Sequence, residues 1–331
     1  ASTSRRARTS RCSKSAWSAD PAVNCLDNEE LLYLAHLPYN RNLYRNGGWK
    51  VAPYDPAFND FLAHFFPVNV RARARQAARA LYQRSIHFQA LAIWEDRYPA
   101  HLRSIFDPPV VLFYEGHLEF LNAGALAVVG TRRPDPVSVL ATEVLVDGCR
   151  QAIVSGFARG IDRVAHERAQ QNRLPTVAVL ASCVERPSPL SHLYLLDKPI
   201  LLLSEYPPGT PAYAGHFPRR NRIIAGLAPA VAIMQAPARS GALITAQFAL
   251  EEGREVLAFD DDRLTDAANA GNRWLIGDGA RSLRLEGSIL RRGSSSHSEQ
   301  LQFWEARALG QLRYLGADEY GLVPSISLQL E

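Results

Sequence analysis

Six short apolar runs, separated by stretches with helical spacing, constrain the fold of this chain more than any other feature. The runs lie at residues 126–129, 152–154, 176–180, 200–203, 230–234 and 255–259. Several are apolar throughout, as expected of parallel strands that are covered on both faces. Between the first two, the apolar residues recur at helical spacing: Val137, Leu140, Ala141, Val144 and Leu145. This alternation predicts an α/β fold with a Rossmann-like, doubly wound and mostly parallel sheet.

The chain outside this region divides by composition. Residues 1–20 are expected to form a disordered basic leader, because their first 16 residues are rich in Ser and Arg and contain no acid. Residues 21–90 predict a small helical N-terminal region whose short helices are broken by Gly and Pro. The predicted sheet occupies residues 91–285. Residues 286–331 are expected to form a short C-terminal appendage that begins with a linker at 293–296.

Cysteine usage and hydropathy exclude several classes of protein. Cys12, Cys25, Cys149 and Cys183 form no CxxC pair or Cys/His cluster, which argues against a metal site or a disulfide framework and fits a reducing compartment. No apolar run is long enough to span a membrane. A cytoplasmic protein without membrane contact is therefore expected.

The net charge says less about binding partners than the type of basic residue does. The formal net charge is only +4, which does not by itself indicate nucleic acid. Lys14, Lys50 and Lys198 are the only lysines, so almost all basic side chains are arginines. Arginine has a planar fork that suits bidentate phosphate contacts. For most of these arginines, a compositional bias of the genome is the favoured explanation.

Small turns that contain Gly, Ser, Thr and Arg follow several of the predicted strands. In doubly wound sheets, ligands bind beyond the carboxyl ends of the strands, so these turns should meet at one edge. The candidate phosphate- or DNA-binding residues are Gly130, Thr131, Arg132, Ser155, Gly156, Arg159, Gly160, Arg219, Arg220, Asn221, Arg222, Ser240, Gly241 and Thr245. The sequence therefore predicts an anion-binding edge.

Each residue type in these turns has a physical reason to face a phosphate. Free N–H groups at a helix start point outward, and the helix dipole favours negative charge there. Glycine lets a phosphate approach the backbone, while hydroxyls and guanidiniums donate hydrogen bonds. Asp162 and Glu205 are expected to support this edge, Asp162 by orienting an arginine and Glu205 by pairing with one.

Five motifs in this order resemble the Rossmann-like domain of the DNA-processing protein A (DprA/Smf) family. They are VVGTRRP, IVSGFARGIDRVAH, LLSEYPPG, FPRRNRIIAGL and SGALITAQFALEEGREV, within residues 91–280. The resemblance implies binding of single-stranded DNA without marked sequence preference, in natural transformation or recombination. It also implies a homodimer that hands the strand to a RecA-type recombinase, with no cofactor and no catalytic residue.

The chain departs from the pattern of that family at several positions on the predicted edge. Ala181-Ser182-Cys183 replaces a Gly-x-Gly turn, and Ser188 and His192 stand where Tyr and Asn are usual. Three further departures lie near the ends of later strands: Gln235 in place of an acid, Asp260-Asp261-Asp262 in place of a Pro-Gly, and Arg273 in place of an Asn.

Three other functions remain open at this point. A nucleotide phosphoribohydrolase-like enzyme should carry a P-G-G-x-G-T-x-x-E segment, and the nearest stretch here, SGALITAQFALEE, lacks the double glycine and that spacing. A sensor for a small nucleotide would use the same phosphate-binding edge. A relative retained only for contact with a recombinase would explain the departures.

Single residues at the edge also carry alternatives. Arg132 binds phosphate or forms a surface ion pair, and His166 is expected to be a satisfied interior histidine. Phe157, Tyr206 and Phe217 are candidates for base stacking, with core packing at least as favoured. One basic helix, with arginines at 71, 73, 75, 79 and 84, is expected to be a solvated face that could extend the basic surface.

Overall fold

A computed structural model describes residues 26–84, 86–286, 289–291, 312–316, 319–322 and 325–329. The predicted leader at 1–20 and the linker at 293–296 lie outside the described residues. Among the described residues, no helix combines the length and the apolar character that crossing a bilayer requires.

Four helices precede the sheet in the part of the chain that begins at residue 26. They are α1 (Asn28–Ala35), α2 (Arg41–Arg45), α3 (Phe58–Phe65) and α4 (Val68–Tyr82). The Asp27 carboxylate caps α1 by accepting a hydrogen bond from the backbone N–H of Glu30 at 2.8 Å. The basic helix α4 packs on α1, and Arg75 pairs with Glu30 at 3.3 Å. This part of the basic helix therefore serves packing within the N-terminal region.

Within the described ranges, ten strands form the main sheet. They are β1 (Gln89–Ala92), β2 (Val111–Gly116), β3 (Ala125–Val129), β4 (Ala152–Ser155), β5 (Thr176–Val179), β6 (Leu201–Ser204), β7 (Ala230–Ile233), β8 (Glu255–Phe259), β9 (Arg281–Glu286) and β13 (Ser325–Gln329). Their order is β1-β2-β6-β5-β4-β3-β7-β8-β9-β13. Strands β3 to β9 run parallel, while β1, β2 and β13 pair antiparallel. The predicted fold class is confirmed, and each of the six predicted runs overlaps a strand, with differences of one residue at some ends.

The remaining helices and strands follow the chain around this sheet. The helices are α5 (Ala100–Arg103), α6 (Pro136–Asp147), α7 (Ile161–Gln171), α8 (His216–Leu227), α9 (Gly241–Glu251) and α10 (Asp266–Gly277), with 3-10 turns at Leu118–Asn122 and Leu190–Asp197. The strands β10 (Ile289–Arg291), β11 (Leu312–Gly316) and β12 (Glu319–Leu322) form a separate small sheet.

Two apolar layers bury the centre of the main sheet. Helices α6 and α7 pack on one face, where Ala141, Ile161 and Ala165 join the core formed by Val128 and Ile153. Helices α8 and α9 cover the other face, where Ile223 and Ala246 contribute to the core. Burial on both faces explains why the central strands are apolar throughout.

Strand β3 lies at the point where the sheet changes direction. The chain runs outward from β3 through β4 and β5 to β6, and then returns to place β7 on the other side of β3. In sheets of this topology, the loops that follow the strands flanking such a point separate and leave a binding crevice. The turns after β3, β4 and β7 therefore border the expected binding crevice.

The predicted region boundaries fall within strands. The boundary between residues 90 and 91 lies in β1, and the boundary between 285 and 286 lies in β9. Strand β13 returns from the C-terminal stretch to pair with β9, from Ser325 opposite Glu286 to Gln329 opposite Ser282. The division into a helical region, a Rossmann-like region and an appendage stays a proposal about how the chain is organised.

Candidate phosphate-binding site

The turns after β3 and β4 are in direct contact, and Gly160 makes that contact possible. Its φ is +78°, and a Cβ added there would lie 2.3 Å from the carbonyl oxygen of Thr131 and 2.7 Å from Cα of Arg132. The backbone N–H of Ile161 donates to the oxygen of Thr131 at 3.2 Å. Only glycine fits this position, and through it the start of α7 fixes the backbone that carries Arg132.

Arg132 projects from this turn into solvent. Its guanidinium carbon lies 5.6 Å from the centroid of the Phe217 ring, and Phe217 is half-buried. Within the part of the chain that the structure describes, no carboxylate pairs with Arg132, so the ion-pair alternative finds no partner there. A cation beside a partly exposed ring is an arrangement suited to a phosphate with its base.

A buried pair, Asp162 and Arg220, shapes the turn after β4. Asp162 accepts hydrogen bonds from the backbone N–H groups of Gly156 and Ala158 at 3.2 and 3.3 Å. Arg220 is 4% exposed and donates to the carbonyl oxygens of Gly156 and Val179. Asp162 thus holds the backbone of this turn, and its predicted orientation of an arginine stays a prediction. The predicted phosphate contact of Arg220 is corrected. Its buried guanidinium bonds the turn from inside and cannot reach a phosphate at the surface.

Burial shifts the titration of both groups in this pair. It raises the pKa of Asp162, although Arg220 and the two backbone N–H groups oppose the shift. It lowers the pKa of Arg220 to about 10, so this guanidinium remains protonated at neutral pH. The turn from Gly156 to Gly160 is therefore held by a charged guanidinium beneath it, which interacts with the neighbouring Asp162.

Ser155 also turns inward. Its hydroxyl is fully buried and donates to the carbonyl oxygen of Val128 at 2.6 Å, which links β4 to β3. Because this hydroxyl is occupied, the predicted phosphate contact of Ser155 is replaced by a role in the sheet. The turn beyond it presents exposed Arg159 instead.

The arginines at the start of α8 differ sharply in exposure. Arg222 is 4% exposed and pairs with Glu205 at 2.7 Å and with Asp107 at 3.1 Å. Arg219 lies closer to the surface, pairs with Glu205 at 3.3 Å and sits 5.1 Å from the ring centroid of Tyr39. The predicted phosphate contact of Arg222 is therefore corrected, since its buried guanidinium is already paired with two carboxylates whose side chains are only 10% and 14% exposed. Glu205 supports both arginines.

The start of α9 forms the third turn of the site. The Ser240 hydroxyl caps the helix by accepting from the N–H of Ala242 at 3.2 Å, and nothing lies within 4 Å of a Cβ placed on exposed Gly241. Asn221 donates its side-chain amide to the oxygen of Gly241 at 3.2 Å, which ties α8 to this turn. Thr245 is buried one turn further along, so its predicted contact with phosphate is also corrected.

Four exposed arginines remain free at this edge. Arg132, Arg133, Arg159 and Arg239 form no side-chain hydrogen bond or ion pair among the described residues. They follow β3, β4 and β7, the three strands at the change of direction. Sequence reasoning missed Arg133 and Arg239, although both stand in strand-end turns, Gly130-Thr131-Arg132-Arg133 and Ala238-Arg239-Ser240.

Two of the departures from the family pattern compensate each other. Asp260 follows β8, and its carboxylate accepts from Arg273 Nε at 3.1 Å and from Asn269 at 2.9 Å. Asp261 pairs in turn with Arg263 at 2.5 Å. The acids at the end of β8 are therefore largely neutralised within the fold, and Arg273 is present where it can balance Asp260.

The departures at Gln235 and at the turn of residues 181–183 make hydrogen bonds to neighbouring segments. The side chain of Gln235 donates to the Asp135 carboxylate at 2.6 Å and accepts from its backbone N–H at 2.9 Å. The N–H of Cys183 donates to the oxygen of Thr210 at 2.9 Å, so the turn of Ala181-Ser182-Cys183 is attached to the loop after β6. These substitutions keep the turns in place.

Two histidines and a phenylalanine pack beneath the turn after β4. His166 is fully buried, and its Nδ1 lies 2.7 Å from the hydroxyl of Thr176. Phe157 is buried between His166 and His192, at a φ of +57°. Phe157 is thus unavailable for base stacking, and Phe217 stays a candidate for that role.

Among the described residues, no group of three or more His, Cys, Asp or Glu side chains is arranged to hold a metal ion. The chemistry that this edge offers is electrostatic: exposed guanidiniums, a cation beside a ring, and helix-start N–H groups.

Comparison with known proteins identifies similar sequences over the region of the main sheet. A family model described as DNA recombination-mediator protein A matches residues 89–292. The DNA processing protein DprA of Streptococcus pneumoniae is 41% identical over 199 residues, which make up 59% of this chain and 70% of that protein. Protein Smf of Escherichia coli is 41% identical over 191 residues, or 55% of this chain and 50% of that protein.

Solved structures extend the similarity. The X-ray structure of DNA processing protein A from Streptococcus pneumoniae matches with a TM-score of 0.68 and 32% identity, over 84% of this chain and 98% of that one. DNA processing protein A from Helicobacter pylori, described for its unique single-stranded DNA binding mode, matches with a TM-score of 0.52 and 26% identity, over 59% of this chain and 91% of that one.

Proposed function

The chain belongs to the DNA recombination-mediator protein A family, and on that premise we propose that it binds single-stranded DNA along the carboxyl edge of its main sheet. The observation that carries the proposal is the set of four free, exposed arginines around the turns after β3, β4 and β7. The binding mode described for the Helicobacter pylori relative supports the same class of ligand.

The proposed binding needs no covalent step. Arg132, Arg133, Arg159 and Arg239 neutralise successive phosphates, and backbone N–H groups at the start of α9, where Gly241 is exposed, donate to phosphate oxygens. Phe217 stacks with a base beside Arg132. Because none of these contacts reads a base edge, we expect little sequence preference.

The wider role is proposed from the family. We infer that the protein acts in the cytoplasm as a homodimer and delivers the bound strand to a RecA-type recombinase during transformation or recombination. In this role it holds a strand and releases it, and it is not an enzyme.

Binding of a fluorescent oligo-dT across a salt series tests the proposal. The affinity should rise with oligonucleotide length, and log affinity should fall with log salt at a slope of about −0.7 per phosphate neutralised. Arg132→Ala should weaken binding and make the slope shallower. Arg150→Ala is the matched control, because Arg150 is also exposed but precedes β4, at the opposite edge of the sheet.

Two other results would replace this proposal. Saturation by a mononucleotide, without further gain from longer oligonucleotides, would favour the nucleotide sensor or the phosphoribohydrolase-like enzyme. Binding of neither ligand would favour a relative that has kept only its protein contacts.

A further inference from the structure

Three aromatic rings lie together beyond the ends of β5 and β6. The rings of Tyr206 and His216 stack with centroids 3.9 Å apart and planes 14° apart. Tyr213 meets His216 edge to face at 5.1 Å and 89°. The Nδ1 of His216 lies 3.1 Å from the carbonyl oxygen of Ala181, which fixes the middle ring against the turn after β5.

Tyr213 is the exposed member of this cluster. It is 58% exposed, and its hydroxyl makes no hydrogen bond among the described residues. Core packing therefore does not account for a ring at this position. One side of the ring rests on His216, whose own position is held by Tyr206 and Ala181, so the exposed aromatic surface is supported from beneath.

A free cation lies on the neighbouring loop. Arg186 is exposed, and its guanidinium has no hydrogen-bond or ion-pair partner in the part of the chain that the structure describes. Its backbone N–H donates to the oxygen of Cys183 at 3.2 Å, and the N–H of Cys183 donates to the oxygen of Thr210 at 2.9 Å. The loop with Arg186 is thereby joined to the loop that leads into Tyr213.

The first turn of α8 connects the region of Tyr213 and Arg186 to the candidate phosphate-binding site at Arg132. Phe217 lies beside Arg132 of the turn after β3, whereas the preceding residue, His216, contacts Ala181 of the turn after β5. Strands β3 and β6 are three positions apart in the sheet, about 14 Å at the usual strand spacing. A strand of a few nucleotides spans that distance.

We propose that Tyr213 and Arg186 form a second nucleotide subsite, in which Tyr213 stacks with a base and Arg186 binds a phosphate of the same strand. This inference rests on the proposed function, since it extends the path of single-stranded DNA from Arg132 and Phe217 toward β6. The second subsite repeats the first. Each combines an exposed arginine from one strand-end turn with an aromatic ring: Tyr213 comes from the segment before α8 and Phe217 from the first turn of α8.

Two variants with different signatures test the subsite in the full chain. Tyr213→Ala should weaken binding of a long oligo-dT by about fivefold or more, with an unchanged salt slope, while Tyr213→Phe should bind as the wild type does. Arg186→Ala should make the salt slope shallower by about 0.7. Tyr54→Ala is the control, because Tyr54 is 62% exposed on the N-terminal region and should not contact the strand.

Oligonucleotide length separates the two subsites. An oligo-dT short enough to fill only the subsite of Arg132 and Phe217 should bind the wild type and Tyr213→Ala equally. Photocrosslinking of a long oligonucleotide that carries 5-iododeoxyuridine should label Tyr213. Equal binding of the long oligonucleotide by wild type and Tyr213→Ala, with no label on Tyr213, would overturn the second subsite and leave the proposed function intact. Failure of the wild type to bind any oligonucleotide would overturn both.

Discussion

At the scale of single residues, arginines that look alike in the sequence have opposite roles. Arg132 extends into solvent beside Phe217, whereas Arg222 lies between Glu205 and Asp107 with 4% exposure. Removing an exposed side chain usually changes the free energy of unfolding little, while removing one partner of a buried ion pair leaves an uncompensated charge. The two side chains can therefore be told apart by experiment.

We predict that Arg132→Ala weakens oligonucleotide binding and changes the free energy of unfolding by no more than about 0.5 kcal/mol. Arg222→Ala should instead lower the free energy of unfolding by about 3 kcal/mol, because Glu205 and Asp107 lose their buried cation and keep only the more exposed Arg219. Urea unfolding and anisotropy titration of both variants measure the difference. A stable Arg222→Ala protein with weakened binding would show that Arg222 reaches the strand.

The buried histidine predicts a pH dependence of stability. Burial, with His192 and Arg220 nearby, lowers the pKa of His166 from 6.5 to about 3. Above pH 6.5 the imidazole is neutral in both the folded and the unfolded state. As the pH falls below 6.5, the unfolded state takes up the proton first, so stability decreases by up to about 1.4 kcal/mol per pH unit. Burial also lowers the pKa of His192, which acts in the same direction.

Urea unfolding at pH 7, 6 and 5 measures this effect. The wild type should lose stability over that range, and His166→Gln should lose less, because its side chain takes up no proton in either state. His64→Gln, at an exposed position on α3, is the matched control and should follow the wild type. Parallel curves for wild type and His166→Gln would contradict the assignment.

At the scale of elements, the contact between the turn after β3 and the start of α7 places the site. Gly160→Ala would force a methyl group against the oxygen of Thr131 and Cα of Arg132. We predict a loss of about 2 kcal/mol or more in the free energy of unfolding, together with weaker oligonucleotide binding because the backbone of Arg132 must move.

Gly253→Ala provides the comparison for this variant. Gly253 also has a positive φ, of +64°, but nothing lies within 4 Å of its added Cβ. Its substitution should cost only about 1 kcal/mol and leave binding unchanged. Equal effects of the two substitutions on stability and binding would show that backbone conformation matters and the close contact of Gly160 does not.

At the scale of the whole molecule, the N-terminal helices and the outer strands share one apolar core. Leu32 of α1 and Phe58 of α3 lie in the same buried cluster as Phe113 of β2 and Leu202 of β6. Tyr39 also contacts Arg219 at the edge of the site. Because the core crosses the proposed boundary at residue 90, the helical region and the sheet should unfold together.

Phe113→Ala tests this coupling. The substitution should lower the free energy of unfolding by about 3–5 kcal/mol while keeping a single transition, with tryptophan fluorescence and far-ultraviolet circular dichroism giving the same midpoint. Phe106→Ala is the control, because Phe106 is half exposed and should cost much less. Two separate transitions would instead show that the regions on either side of β1 unfold independently.

Much of the architecture follows from the sequence alone. The apolar runs predict the central strands because a strand covered on both faces needs apolar residues at every position. The order of the five motifs identifies the family, and the turns after the strands predict the edge at which the candidate residues gather. Gly160 and Arg132 stand out for the same reason, since a glycine turn and a neighbouring arginine are local features of the chain.

Only the tertiary structure decides which of these side chains face the solvent. Arg219, Arg220 and Arg222 lie within four residues of one another, and the way α8 packs on the sheet sends Arg220 under the turn after β4 and Arg222 to Asp107, which is distant in sequence. Ser155 turns inward because the pleat of β4 directs its hydroxyl to Val128. Such outcomes depend on packing between elements that are far apart in the chain. The local spacing of residues therefore does not predict which partner a buried polar group will bond.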